Sequence, residues 1–261
     1  MSIEIFQNDI FSMRYLRFGK TDGKPFVIIP GLALKSVIDS AVLIEAQYKS
    51  IADEYDVYVF DRRTEIPEVY NISDMADDTA TALDALTIRN AAVYGVSQGG
   101  MIAQEIAIKH PCLVGKLILC STAAYIPDTA ADILDSWAKL AVNKNRTELI
   151  MSFAENIYTS AYCEKYKDVF VKFAGCVTDD ELQRFVIMAN GCKDFDVRNR
   201  LGSITAPVLV IGAEQDKLFG SATSKELAEL TNGQIMIYPD EAHSVYDENA
   251  DVIVQIKSFL V

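Results

Sequence analysis

Paired cysteines, histidine, basic charge and long apolar runs are all scarce in this chain. The five cysteines, Cys112, Cys120, Cys163, Cys176 and Cys192, contain no C-x-x-C pair, which argues against a zinc cluster or a redox dithiol. No ligand-spaced group of His, Asp and Glu occurs either, so neither a metal nor an organic cofactor is expected. No stretch approaches the roughly 20 apolar residues that a membrane span requires. The opening residues, Met1-Ser2-Ile3-Glu4-Ile5-Phe6, lack the basic and apolar segments of a secretion signal. Free thiols without an export signal point to the cytoplasm. Lys+Arg number 24 against 37 Asp+Glu, a formal charge of −13 that repels phosphate backbones and anionic lipid. Nucleic acid and membrane are therefore not expected as partners, although the plainer meaning of the charge is solubility.

What is present is apolar and regularly spaced. At 261 residues the chain suits one large core carrying an insertion. Phe11 to Phe18 alternates in the manner of a half-buried antiparallel strand, and Gly19 to Pro25 supplies a turn. Short continuous apolar runs follow at Phe26 to Ile29, Val57 to Phe60, Ala91 to Tyr94, Leu117 to Leu119, Val208 to Ile211 and Ile235 to Tyr238. Such runs mark strands buried on both faces, hence parallel strands between helical layers. Helical patterns, including Ser73 to Leu86 and Met101 to His110, separate most of them, so the expected class is a doubly wound α/β sheet.

Between Thr122 and Pro207 that rhythm stops. Four amphipathic stretches are read there: Asp128 to Val142, Thr147 to Tyr158, Ala161 to Phe173 and Asp179 to Asn190. Thr178 and Glu181 have the spacing of a capping box ahead of the last. Ligand sites of open α/β sheets lie at the carboxyl ends of the strands, so helices inserted there are expected to form a lid. Of its aromatic side chains, Trp137, Phe153, Tyr158 and Phe173, some are expected to wall an apolar pocket, but each alone reads more readily as packing and none is assigned a site role.

One hexapeptide carries chemistry. Gly95-Val96-Ser97-Gln98-Gly99-Gly100 stands between an apolar strand and a helical pattern, the setting of a G-x-S-x-G nucleophile elbow. A serine hydroxyl needs a base to take its proton and a third group to orient that base. Only two histidines are available. His110, in Lys109-His110-Pro111, ends the helix after the elbow and reads as structural, whereas His243 follows the last apolar strand and can face Ser97. Asp216 follows the preceding strand and is the expected acid; Glu214 is the weaker candidate, and Asp240 and Asp247 read as surface residues. The order Ser, Asp, His is that of α/β-type hydrolases. Backbone donors for an oxyanion are expected from Gln98 and from Leu32, in Pro30-Gly31-Leu32 after the first buried strand. Ser36 could also bind a substrate oxygen, with a helix cap as the plainer reading.

These residues resemble the α/β-hydrolase fold superfamily, in the lid-bearing branch of carboxylesterases and 3-oxoadipate enol-lactonases. Asp61-Arg62-Arg63 is similar to the family's D-x-R turn, and Gly212 to Asp216 and Ala242-His243 are similar to its acid and base segments. Two departures stand out. Pro30-Gly31 replaces the usual His-Gly, and Thr64-Glu65-Ile66-Pro67 follows Arg63 where the family carries glycines. The resemblance implies a mostly parallel eight-stranded sheet flanked by helices, with core residues 1–124 and 203–261 and a helical lid at 125–202. It implies Ser97 as nucleophile, Asp216 as acid, His243 as base, and Leu32 and Gln98 as oxyanion amides. The expected activity is cleavage of a small carboxylic ester, lactone or thioester through an acyl-enzyme, by a monomer or homodimer acting on a small-molecule acyl substrate. A serine nucleophile argues against dehalogenase or epoxide hydrolase chemistry. Two alternatives keep the same residues: a ligand-sensing regulatory protein, and a C–C bond hydrolase or perhydrolase.

Overall fold

A computed structural model describes residues 1–261. Eight strands form one sheet: β1 Ser2–Gln7, β2 Ser12–Gly19, β3 Lys24–Ile29, β4 Tyr55–Arg63, β5 Ala91–Val96, β6 Val114–Cys120, β7 Val208–Ala213 and β8 Gln234–Tyr238. Their order across the sheet is β1-β2-β4-β3-β5-β6-β7-β8. The β1–β2 and β2–β4 pairs are antiparallel and the remaining pairs parallel. In chain order the helices are α1 Ala41–Gln47, α2 Lys49–Ala52, α3 Ile72–Ala85, α4 Gln98–Lys109, α5 Asp128–Val142, α6 Arg146–Ile157, α7 Ser160–Ala174, α8 Asp179–Asn190, α9 Gly220–Thr231, α10 Val245–Glu248 and α11 Asp251–Leu260. No helix is long and apolar enough to cross a membrane.

The continuous apolar strands are explained by two separate cores. Side chains alternate across a strand, so Val27, Ile29, Val93 and Val210 feed the core on one face. Phe26, Ile28, Tyr94, Leu209 and Ile211 feed the core on the other. Both faces are covered, so no polar alternation is needed. Burying each Val or Leu side chain stabilises the fold by about 1.5–3 kcal/mol relative to leaving it exposed.

Helices α5–α8 form one insertion between β6 and β7. Thr178 and Glu181 do form a reciprocal capping box at the start of α8. The insertion contains no named strand, only an isolated bridge between Tyr125 and Asp196. One local expectation needs correction. Asp61-Arg62-Arg63 is not a turn but the end of β4, because Arg63 pairs with Met13 and Thr64 donates its N–H to Ser12 O at 2.7 Å.

Candidate active site

The sheet register brings four chain segments to one edge. Ile29 at the end of β3 lies opposite Gly95 of β5, and Val96 opposite Cys120 of β6. Ser97 N–H donates to Cys120 O at 2.9 Å, and Ser121 N–H to Ile211 O of β7 at 2.8 Å. The loops leaving β3, β5 and β7 therefore open side by side.

Ser97 occupies φ 52°, ψ −121°, a conformation that L residues rarely adopt. The turn holds because the segments around it approach closely. A Cβ on Gly95 would lie 2.5 Å from Gly99 O, and one on Gly99 only 1.9 Å from Ile29 O. Any larger residue at either position would drive helix α4 off the sheet.

His243 lies beyond β8 and is buried, with Nε2 3.0 Å from Ser97 Oγ and Nδ1 2.9 Å from Asp216 Oδ2. The other oxygen of Asp216 accepts the Leu218 and Phe219 N–H groups at 2.8 and 3.0 Å. Burial alone would raise the Asp216 carboxyl. The neighbouring His243 and these amides outweigh it and hold the carboxyl below its ordinary range. Phe219 also packs on the imidazole, ring centroids 5.4 Å apart. The three side chains thus form a chain of hydrogen bonds in which the imidazole can take the serine proton while the carboxylate orients the ring.

The sequence alternatives fall elsewhere. Glu214 is exposed and accepts from Ser221 and Lys225. Asp240 and Asp247 are exposed as well. His110 Nε2 faces Asp77 at 3.7 Å, at the far end of α4 from Ser97. Ser36 caps the short helix Val37–Ser40, accepting from Ile38 N–H, and donates its hydroxyl to Asp61.

Gln98 opens α4, so its N–H lacks an intrahelical acceptor. Leu32 N–H donates to no protein group. Both residues line a cavity of about 60 Å³ that also contains Ser97 and His243. The insertion supplies Leu134, Trp137, Phe153 and Ile157 to its wall. Of the four aromatics singled out from the sequence, Trp137 and Phe153 reach this space, whereas Tyr158 and Phe173 do not. Cys192 joins the wall too, its thiol pushed up to about 11 by burial.

One residue with consequences at this site, Arg62, was not a candidate from the sequence. It is buried and reaches both Pro30 and Gln98. Strand parity was the available signal. Tyr58 and Phe60 share a face of β4 with it, and that face is core.

An eight-stranded sheet with a strained serine between β5 and α4, met by a histidine beyond β8, defines the class, and residues 24–250 match the family described as the alpha/beta hydrolase fold. The chain belongs to that family. It is 26% identical over 223 residues to a 3-oxoadipate enol-lactonase 2 of Acinetobacter baylyi, covering 84% of this chain and 81% of that one. It is likewise 26% identical over 246 residues to a putative carbamate hydrolase of Serratia proteamaculans, covering 86% and 89%. Among solved structures, an α/β-hydrolase enzyme from a deep-sea metagenome superposes with a TM-score of 0.87 at 21% identity, covering 98% of this chain and 97% of that one. The enol-lactonase of Burkholderia xenovorans gives 0.83 at 22% identity, covering 98% and 99%. The protein is an α/β-fold hydrolase.

Proposed function

We propose that the protein is a cytoplasmic serine hydrolase that cleaves a small, uncharged carboxylic ester or lactone through an acyl-enzyme. Ser97 Oγ attacks the carbonyl carbon as His243 Nε2 takes its proton, and Asp216 stabilises the imidazolium that results. The oxyanion of the tetrahedral intermediate is held by the N–H groups of Leu32 and Gln98. Collapse expels the alkoxide, which receives the proton from His243. Water then attacks the acyl carbon, giving its proton to His243, and the acid leaves as Ser97 recovers its hydroxyl hydrogen. Residues 125–202 serve as the lid that keeps this space dry. The five unpaired cysteines accord with a reducing compartment.

The observation that carries this reading is the continuous path from Ser97 through His243 to Asp216, at 3.0 and 2.9 Å, opening into an apolar cavity. Substrate size and charge follow from the same cavity. It is small, and no lysine or arginine lines it, so an anionic acyl group finds no counter-charge. Lactone chemistry is further supported by the relative named an enol-lactonase. The test is steady-state turnover of p-nitrophenyl acetate and butyrate and of a simple γ-lactone. Wild type should turn over at least one of them, and Ser97→Ala should lose about 10⁴-fold or more in kcat. Activity that survives Ser97→Ala would refute the assignment.

A further inference from the structure

Arg62 is 4% exposed, and no carboxylate pairs with its guanidinium. Nη2 gives one hydrogen to Pro30 O at 2.7 Å and the other to Gln98 Oε1 at 3.3 Å. Nε has no partner at all. The nearest acid in the chain, Asp61, is already engaged by Ser36 and by the backbone N–H of Arg62. A charge buried without a carboxylate is costly, and an apolar side chain of similar length could fill the same space. The arrangement therefore calls for an explanation in what the guanidinium holds.

It holds the two halves of the proposed oxyanion hole. Pro30 begins the loop that carries the Leu32 N–H; it has neither an N–H nor a polar side chain, so its carbonyl is the one group by which the residue can be hydrogen-bonded. Gln98 carries the second amide. The other end of the Gln98 side chain is also tied, with Nε2 donating to Met188 O at 2.8 Å and to Cys192 Sγ at 3.2 Å. We propose that Arg62 is a positioning residue that locks the loop after β3 to the start of α4, fixing the spacing between the two amides that receive the oxyanion. A single planar nitrogen with two hydrogens in a fixed fork sets that spacing as a flexible ammonium cannot. The inference rests on the acyl-transfer reading above.

The test compares wild type with Arg62→Met and Arg62→Lys, each titrated with a fluorophosphonate so that kcat is expressed per labelled site. Arg62→Met should lower kcat about 10- to 100-fold, the scale of a misplaced catalytic group, with KM changed no more than about threefold. Arg62→Lys, which keeps the charge but lacks the planar fork, should fall between. A trifluoromethyl ketone, which mimics the tetrahedral species, should lose affinity in step with kcat/KM, while the carboxylic acid product binds as in wild type. If both variants match wild type per labelled site and only melt at lower temperature, Arg62 is structural and this inference alone falls. If wild type itself neither labels nor turns over, the acyl-transfer reading falls and takes this inference with it.

Discussion

Ser97 is held at φ 52°, ψ −121° by backbone packing and not by any bond its side chain makes to the turn. Such conformations cost of order 1–3 kcal/mol and persist where the surroundings over-determine them. Here the cost is met by the flanking contacts of Gly95 and Gly99 and leaves the hydroxyl free for His243. Asp216 is the other residue whose environment decides its behaviour. Its carboxyl is held below the ordinary range in the fold, so it binds fewer protons there than in the unfolded chain. The stabilisation it provides is therefore complete above the unfolded value of about 3.9 and is lost as pH falls through the lower folded value. Asp216→Asn removes that linkage. Thermal melts between pH 6 and pH 3 should show a steeper loss of Tm in wild type than in Asp216→Asn, and parallel curves would contradict the assigned direction.

At the scale of elements, the insertion is the part most open to functional tuning. Trp137 is almost fully buried, donates to Ser152 Oγ at 3.2 Å and packs on Phe153 with ring centroids 4.6 Å apart. Phe153 is only partly buried and borders the cavity, so its removal adds space beside Ser97 without dismantling the Trp137 contact to Ser152. Phe153→Ala should raise kcat/KM for a hexanoyl ester relative to an acetyl ester by about tenfold, the value of one or two extra methylenes in an apolar pocket. An unchanged ratio would mean that the acyl chain lies elsewhere. The insertion is also anchored from α8, where Arg184 donates to the carbonyls of Arg63 and Thr64 at 2.8 and 3.0 Å. Helix α8 thereby meets the same end of β4 that carries Arg62.

Across the whole molecule, how much the sequence revealed follows the strength of each local signal. Helices α5 and α8 occupy the spans expected from their apolar spacing, and α6 and α7 each differ by one residue at both ends. The buried strands were legible because both of their faces are core. Short elements were not: α2 and α10 have four residues each, too few for a periodic pattern. Strand β1 falls within the opening thirty residues that read as strands, although it lies at the sheet edge with Ile3 and Ile5 exposed. At the site, chain order and strand-end position were enough to select Ser97, Asp216 and His243, which meet within hydrogen-bonding distance. Arg62 escaped because Asp61-Arg62-Arg63 reads as a turn, and only its place inside β4 gives it the parity that points inward.

The central claim is that Ser97 is a nucleophile activated by His243. Intact-mass spectrometry after exposure to a fluorophosphonate tests this most directly, with peptide mapping of the modified residue. The account predicts one adduct per chain, located on Ser97 and absent from Ser97→Ala, with labelling of His243→Ala slower by orders of magnitude. An unmodified wild-type protein, or an adduct that persists undiminished in Ser97→Ala, would contradict it.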